Sequence, residues 1–194
     1  MLQWSIDAFR AYDPDCGVVL VVHPDYLEKW KELLKGEGIT AVAGGASRIE
    51  SVRNGLKEIG KEEKDGEELL VFIHDAARPG VTPEMMRRGE AAVKPGTGAV
   101  PVVALSDSIR RLTGEGSVAV NRSEYVAVQT PQVFMYEDIT RAYQELPEET
   151  GAFTDDASVA EAAGIRIVIY EGDPNNLKVT NPGDIERVAT QTWK

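Results

Sequence analysis

The sequence predicts one α/β domain whose sheet is covered by helices on both faces. Short apolar runs alternate with segments whose apolar residues recur about every 3.6 positions, which is typical of β-α-β units around a mostly parallel sheet. The run at 70–73 is wholly apolar, as in a strand buried on both faces. With 194 residues, the chain is long enough for one three-layer domain and short for two.

Each element is assigned from its period and from the residues at its ends. The segment after Thr82 is an example, because threonine is a good N-cap and Pro83 suits the first helical position. The acidic run at 61–68 has no apolar period and is predicted to be a solvated loop. The predicted helices span residues 2–12, 25–35, 47–60, 82–93, 136–146, 155–164 and 181–193. The predicted strands span residues 17–22, 39–45, 68–75, 98–105 and 166–172.

Residues 106–128 depart from this pattern. They have no helical period, they contain the turn TGEGS at 113–117, and apolar residues alternate on either side of that turn, which indicates a hairpin. A projecting hairpin would leave the apolar side chains of 117–120 and 125–128 uncovered, and such a face most often packs on a partner subunit. The sequence therefore predicts a single domain over 1–194 with a projecting β-arm and a homodimer formed through that arm.

Composition and charge exclude several classes of function. A net charge of −11 argues against binding to nucleic acid or to an anionic membrane surface. No apolar run approaches the roughly 20 residues of a membrane span. The only cysteine, Cys16, cannot form an internal disulfide, so we expect a reducing cytoplasmic location.

Charged residues follow the most apolar strand directly. In open α/β sheets the ligand lies outside the carboxyl ends of the strands, so Asp75 and Arg78 are the first candidates for chemistry. Asp75 could hold a hydroxyl group or a divalent metal, and Arg78 could bind a phosphate in bidentate fashion. The alternative is a salt bridge between the two that only fixes the loop. His74 is either a buried hydrogen-bonded residue or a participant.

A glycine pair follows the predicted strand at 39–45. Gly44 and Gly45 would let a ligand approach the main chain, and the amides of the following helix, with Ser47 or Ser51, could bind a base or a phosphate. The alternative is a tight turn without a ligand.

Three further polar residues lie in the second half of the chain. Thr130 precedes a proline and is therefore extended, which makes its hydroxyl a candidate for the cleft. Thr154 precedes two acidic residues and is either a helix cap or a ligand contact. Lys178 lies between Leu177 and Val179 in a segment predicted to be interior, where a lysine needs a counter-charge such as a phosphate.

Taken together, six stretches resemble the 2-C-methyl-D-erythritol 4-phosphate cytidylyltransferase family of the non-mevalonate isoprenoid pathway. In chain order they are GGASRIESVRNGL, HDAARP, ALSDSIRRL, QTPQVF, TDDAS and NLKVTNPGD, and they extend over essentially the whole chain. The resemblance implies a Rossmann-like nucleotidyltransferase domain with a dimerising β-arm. It also implies attack of a methylerythritol phosphate oxygen on the α-phosphorus of CTP, with Mg²⁺ on the triphosphate and release of pyrophosphate.

The resemblance assigns roles residue by residue. Gly45, Ala46 and Ser51 match positions that read cytosine, and Ala76 matches one near the ribose. Lys178 matches a lysine that stabilises charge on the reacting phosphate, and Asp75 and Arg122 are the other two residues with a catalytic assignment. Position 108 is commonly threonine in the family, and serine keeps the hydroxyl. The positions around the methylerythritol phosphate are Asp75, Arg78, Ser108, Arg122, Thr130 and Thr154. No metal ligand is assigned.

The sequence departs from the family at its start. Members begin with a strand, a glycine-rich loop of the kind AAGxGxRMG and a basic PKQ segment, whereas this chain starts at residues that match the following helix. We expect open ladder edges on the strands that would flank that central strand, and no activity from these 194 residues by themselves. Two other functions stay open: a ribitol-phosphate cytidylyltransferase, which shares most of the motifs, and a noncatalytic dimer-forming binding protein.

Overall fold

The computed structural model describes residues 1–61, 68–146 and 153–192, and the predicted acidic loop lies outside them at 62–67. The predicted helices and strands agree with the observed ones to within two residues at each end, whereas the arm region differs and the strand at 132–135 was not predicted. The helices are α1 Leu2–Tyr12, α2 Leu27–Leu33, α3 Arg48–Ile59, α4 Pro83–Ala92, α5 Tyr136–Glu145, α6 Asp156–Ala162 and α7 Pro182–Thr192. The strands are β1 Val18–Val22, β2 Ile39–Ala43, β3 Leu70–Ile73, β4 Thr97–Ala104, β5 Arg110–Thr113, β6 Gly116–Ala119, β7 Val126–Val128, β8 Gln132–Met135 and β9 Arg166–Glu171.

Within the described ranges, the strands form three sheets. Parallel strands β1 and β2 make one sheet, and β5 with β6 makes the hairpin of the arm. In the largest sheet, β8 lies antiparallel between β3 and β4, while β9 runs parallel to β4. The expectation of mostly parallel strands is therefore right for the β1–β2 and β4–β9 pairs and wrong for the other pairs of the large sheet.

Open strand edges lie on β1 and β3. Within the described part of the chain, β1 pairs only with β2, and β3 pairs only with β8. Each of these two strands therefore has one edge whose backbone groups have no strand partner.

The large sheet has apolar packing on both faces, which confirms the three-layer architecture. On one face, Phe134 of β8 packs with Ile139 and Tyr143 of α5 and with Val159 of α6. On the other face, the neighbouring Val133 packs with buried residues that include Met85 of α4. Successive residues of a strand point to opposite faces, so β8 contributes to both cores.

Among the described residues, no helix is long and apolar enough to cross a bilayer.

The arm is shorter than predicted. Its hairpin consists of β5 and β6 alone, and the side chains of the apolar residues Leu112 and Val118 are exposed. Residues 126–128 were predicted to belong to the arm, but they form β7 and pair with residues 102–104 of β4. The large sheet gains a short antiparallel strand because the ladder edge of β4 continues beyond β8.

A bulge separates β7 from β8. Val128 pairs with Val102 and Val133 pairs with Ala99, so the four residues 129–132 lie opposite the two residues 100 and 101. The bulge contains the cis peptide bond between Thr130 and Pro131. Extra residues in one strand re-aim the side chains around them, and this bulge directs Gln129 and Thr130 to the cavity described next.

Candidate functional site

A cavity of about 300 Å³ lies beyond the end of β3. It brings together five of the predicted site residues, from the loop after β3, the β7–β8 bulge and the segments that precede α6 and α7. Those five are Asp75, Arg78, Thr130, Thr154 and Lys178. The same cavity is also lined by Arg48, Val128, Gln129, Gln132 and Asp155, none of which was predicted from the sequence.

Asp75 holds two cations with one oxygen. Its Oδ2 lies 3.3 Å from Nε of Arg78 and 3.0 Å from Nζ of Lys178. Burial raises the pKa of Asp75, but the hydrogen bond from Lys178 and the charges of Lys178 and Arg78 outweigh burial, so the pKa lies below its ordinary value. The predicted salt bridge between Asp75 and Arg78 is confirmed, and it extends to Lys178.

Arg78 is held rigidly in the cavity wall. Besides its contact with Asp75, Nη1 donates to the backbone carbonyl of Asn176 at 3.1 Å and Nη2 to that of Val128 at 3.4 Å. A guanidinium has five N–H donors, so these three bonds leave two. Only 13% of the Arg78 side chain is exposed. A planar group fixed in this way can present its two remaining donors to an oxyanion with little loss of entropy.

Lys178 differs from the prediction in its surroundings. Its side chain is 47% exposed, so it faces the open cavity and does not lie in the interior. Its counter-charge is Asp75, where the sequence had suggested a phosphate. Lys178 is the most exposed of the three cations that line the cavity, which makes its ammonium group the most accessible to an incoming anion.

His74 belongs to the loop framework. Its Nδ1 lies 3.0 Å from Oγ1 of Thr130, and its Nε2 lies 3.1 Å from the backbone carbonyl of Arg78. The hydroxyl of Thr130 also accepts a hydrogen bond of 3.0 Å from the amide of Asp75. Burial lowers the pKa of His74 to about 4, so the ring is neutral at pH 7. Of the two alternatives for His74, the structure shows the buried hydrogen-bonded residue.

Arg48 and Asp156 form an ion pair that the sequence analysis missed. The guanidinium of Arg48 makes two bonds to the carboxylate of Asp156, of 2.9 and 2.6 Å, and the hydroxyl of Tyr143 donates to the same carboxylate at 2.6 Å. Burial lowers the pKa of Arg48, but the hydrogen bond and charge of Asp156 raise it further, so Arg48 stays charged. One signal was present in the sequence: Arg48 stands in the first turn of a helix, where a cation is unfavourable without a nearby anion.

The start of α6 excludes the cap, one of the two alternatives for Thr154. The N-cap of α6 is Asp155, whose carboxylate accepts the amide of Ser158 at 3.0 Å in a capping box, so Thr154 is not the cap. Gln132 spans the cavity floor, since its Nε2 donates to Asp155 at 2.9 Å and its Oε1 accepts the amide of Ala157 at 2.8 Å. Thr154 is exposed and therefore keeps its hydroxyl for a ligand.

The backbone amides of the glycine turn after β2 already donate hydrogen bonds to side chains of the following helix. The amide of Gly45 donates to Oγ of Ser51 at 3.1 Å, and the amide of Ala46 donates to the carboxylate of Glu50 at 2.8 Å. A Cβ atom at Gly45 would lie 2.2 Å from Cβ of Glu50, so the turn requires glycine there. Ser47 caps α3, and neither Gly45, Ala46 nor Ser51 lines the cavity. Cytosine recognition by this turn stays a prediction.

Three other predicted residues lie away from the cavity. Ser108 and Arg122 are exposed residues on either side of the arm hairpin, and the Arg122 guanidinium donates to the backbone carbonyl of Ser106. Ala76 is exposed next to Asp75 but does not line the cavity. Within one chain, the structure does not bring Ser108 or Arg122 to Asp75 and Lys178.

The described residues do not form a metal site. Among them, no group of three or more His, Cys, Asp or Glu side chains is arranged to hold a metal ion. Asp75, one of the two carboxylates that line the cavity, already neutralises Arg78 and Lys178. Mg²⁺ is usually bound by one or two carboxylates together with water and substrate phosphates, so a bound ion would take most of its oxygen ligands from those sources.

Comparison with known proteins gives a consistent result. The model of the family described as "IspD: 2-C-methyl-D-erythritol 4-phosphate cytidylyltransferase" matches residues 1–191. The chain is 38% identical over 190 residues to the protein of that name from Bacteroides thetaiotaomicron, with 96% of this chain and 83% of the relative covered. It is 43% identical over 193 residues to the one from Cereibacter sphaeroides, with 96% and 81% covered.

A solved structure supports the same relationship. The crystal structure of 2-C-methyl-D-erythritol 4-phosphate cytidylyltransferase from Thermus thermophilus superimposes with a TM-score of 0.81 at 29% identity. The alignment covers 100% of this chain and 89% of that one. The agreement extends over the whole chain and is not confined to the cavity.

Proposed function

Because the chain belongs to the 2-C-methyl-D-erythritol 4-phosphate cytidylyltransferase family, we propose that it transfers CMP from CTP to 2-C-methyl-D-erythritol 4-phosphate. The products are 4-diphosphocytidyl-2-C-methyl-D-erythritol and pyrophosphate. The observation that carries the proposal is the group of Asp75, Arg78 and Lys178 in one cavity, where the family resemblance expects the two substrates to meet.

The chemistry follows from this group. A phosphate oxygen of the sugar alcohol attacks the α-phosphorus of CTP, a new P–O bond forms, and the bond to the β-phosphate breaks with loss of pyrophosphate. The second pKa of a phosphate monoester is about 6, so the attacking oxygen is already ionised and needs no general base. Catalysis then consists of positioning and charge neutralisation.

Each residue has a distinct part in the proposed reaction. Lys178, with its exposed ammonium group, stabilises the charge that develops on the transferred phosphate. Arg78 offers its two remaining N–H donors to the phosphate of the sugar alcohol. Asp75 keeps both cations in place and prevents their mutual repulsion from opening the cavity.

The metal and the location complete the proposal. Since the described residues do not offer a cage of carboxylates, Mg²⁺ would come with the triphosphate and bind mainly to its oxygens. Neutralisation of the triphosphate is the chemistry that this ion would supply. A cytoplasmic location is proposed from the single cysteine in the chain.

We also propose a homodimer formed through the arm. The hairpin pairs only with itself among the described residues, and Leu112 is 84% exposed on it. Arg122 is exposed and does not line the cavity of its own chain, so a second copy could receive it at its cavity. Such exchange would supply the extra cation that a second phosphate requires.

The test is steady-state release of pyrophosphate from CTP and Mg²⁺ with two acceptors, 2-C-methyl-D-erythritol 4-phosphate and ribitol 5-phosphate. The assay uses a chain that also carries the amino-terminal strand and loop of the family. We expect kcat/KM to be at least tenfold higher with the erythritol acceptor. A preference for ribitol 5-phosphate would contradict the substrate, and no pyrophosphate with either acceptor would contradict the activity.

A further inference from the structure

The hydroxyl of Thr130 is the best-defined polar group at the cavity. Thr130 is only 5% exposed, yet it lines the cavity. Its Oγ1 accepts the amide hydrogen of Asp75 at 3.0 Å and lies 3.0 Å from Nδ1 of His74. A hydroxyl has one proton and two acceptor lone pairs, so the direction of the contact with His74 decides what Thr130 can still offer.

The contact of Nε2 of His74 decides whether Thr130 donates its proton to Nδ1 or accepts one from it. Nε2 lies 3.1 Å from the carbonyl oxygen of Arg78, which can only accept, so Nε2 carries the proton. In a neutral ring Nδ1 is then an acceptor, and the hydroxyl of Thr130 must donate to it. Neutrality is favoured because the ring packs on Phe9 of α1, with centroids 5.7 Å apart, and lies beside the cationic Arg78.

The proton count leaves Thr130 with one function towards a ligand. Its proton is given to His74, one lone pair is used by the amide of Asp75, and a single lone pair remains. A group that contacts this lone pair must be a hydrogen-bond donor. A phosphate that is fully ionised has acceptors only, so Thr130 cannot bind it favourably.

We propose that His74 is a positioning residue that turns the Thr130 hydroxyl into an acceptor, so that Thr130 binds a hydroxyl group of the sugar alcohol and not its phosphate. This inference rests on the proposed function for the identity of the alcohol. Arg78 and Lys178, with N–H donors towards the same cavity, take the phosphate groups. The cavity is thus divided into a donor side for phosphate and an acceptor position for a hydroxyl.

The first test is nitrogen NMR of the histidine rings of the chain at pH 7. The chain has two histidines, and a His23→Gln variant assigns the signals. We expect Nε2 of His74 to be protonated and Nδ1 to show the shift of an unprotonated ring nitrogen. A protonated Nδ1, in either the other tautomer or the imidazolium, would overturn the proposal. This result does not depend on activity and leaves the proposed function untouched.

The second test uses a chain that also carries the family's amino-terminal strand and loop, and three probes on the same signal: 2-C-methyl-D-erythritol 4-phosphate, 2-C-methyl-D-erythritol and inorganic phosphate, each with CTP and Mg²⁺ present. A ligand hydroxyl that donates to Thr130 strengthens its bond to His74, because linked hydrogen bonds polarise one another. We therefore expect the two polyols to move the Nδ1 signal and inorganic phosphate to leave it in place. An equal shift with inorganic phosphate, or no shift with any probe, would overturn the contact.

A matched pair of variants tests the role of the ring. His74→Asn can place an amide oxygen near the position of Nδ1, whereas His74→Gln reaches the position of Nε2 and leaves Thr130 without its acceptor. We expect His74→Gln to weaken binding of the polyol phosphate at least tenfold and His74→Asn to weaken it less. Equal losses in the two variants would contradict a positioning role. Binding of inorganic phosphate is the control and should be similar in both variants, because the proposal assigns phosphate to Arg78 and Lys178.

Discussion

At the scale of single residues, the cavity is a site where each cation is already paired. Among its described lining residues, Arg48 pairs with Asp156, while Arg78 and Lys178 share Asp75. An incoming phosphate therefore shares these cations with carboxylates. The pair with the most exposed cation, Lys178 with Asp75, is the easiest to rearrange, because solvent screens its interaction most strongly.

We expect Lys178→Ala to lower kcat about a hundred- to a thousandfold, the usual cost of losing one donor to a transition-state charge. Binding of CTP, measured by calorimetry, should change far less, because a contact that forms mainly in the transition state affects turnover more than ground-state binding. The measurement is pyrophosphate release in a chain that carries the family's amino-terminal strand and loop. Lys29→Ala, on the exposed surface of α2, is the matched control. Turnover within a few-fold of the parent would contradict the role.

The Arg48–Asp156 pair predicts a loss of stability. Asp156 is fully buried and its carboxylate is held by Arg48 and Tyr143, so Asp156→Asn leaves a cation without its counter-charge. Breaking a fully buried pair costs about 3–5 kcal/mol. Because the Arg48 side chain is 37% exposed, we expect a value near the lower limit, about 3 kcal/mol, in urea unfolding.

The control for this substitution is the exposed pair between Arg87 and Glu84. Glu84→Gln should change the free energy of unfolding by less than about 1 kcal/mol, because solvent screens a surface pair. If the two substitutions had equal effects, Asp156 would not hold α3 and α6 together as described.

At the scale of elements, the bulge between β7 and β8 and the arm decide what surrounds the cavity. The bulge places Thr130 and Gln129 in the cavity wall. The side-chain amide of Gln129 donates a hydrogen bond of 2.8 Å to the backbone carbonyl of Asp173, which anchors the bulge. The arm carries no residue of its own chain's cavity and instead exposes Leu112 and Val118. One element shapes the site, and the other exposes an apolar surface on which we propose that a second copy packs.

We expect Leu112→Glu to weaken the dimer at least tenfold in sedimentation equilibrium. The substitution places a charge in the apolar patch that the second copy would cover, where an unpaired charge is costly. Leu33→Glu, at a leucine that is 60% exposed on α2, is the matched control and should leave association unchanged. A folded parent chain that stays monomeric at micromolar concentrations would contradict the dimer itself.

At the scale of the whole molecule, we expect charge to limit the activity of these 194 residues by themselves. The net charge is −11, and a nucleoside triphosphate adds about four negative charges at neutral pH. The cations of the described cavity are already shared with carboxylates. Phosphoryl transfer requires this charge to be neutralised, so more cationic or amide donors are needed than the cavity contains.

We therefore expect pyrophosphate release from CTP and 2-C-methyl-D-erythritol 4-phosphate to be negligible for the 194 residues alone. Fusing the amino-terminal strand and glycine-rich loop of a relative should restore it, because the loop supplies amide donors at a helix amino terminus and full positive charges. The strand would also satisfy the open edges of β1 and β3. Comparable turnover by the two chains would show that the triphosphate is neutralised elsewhere.

The sequence by itself determined the features that depend on neighbouring residues. Helix α1 begins and ends at the predicted residues, and Thr82 with Pro83 starts α4 as expected, because periods and caps involve groups a few positions apart. The position of Asp75 and Arg78 after a buried strand was predictable for the same reason. The family resemblance then connected these residues with Thr130, Thr154 and Lys178, which the cavity does bring together.

Only the tertiary structure decided the contacts between distant parts of the chain. The partners Arg48 and Asp156 are 108 positions apart, and Lys178 meets Asp75 only because the segment before α7 packs against the loop after β3. The bulge at 129–132 forms because β7 and β8 both pair with the same edge of β4. Neither the residue types nor the hydrophobic period of the sequence specifies that pairing. Such contacts arise when whole elements pack, since loop closure and burial act on the complete chain and not on a local window.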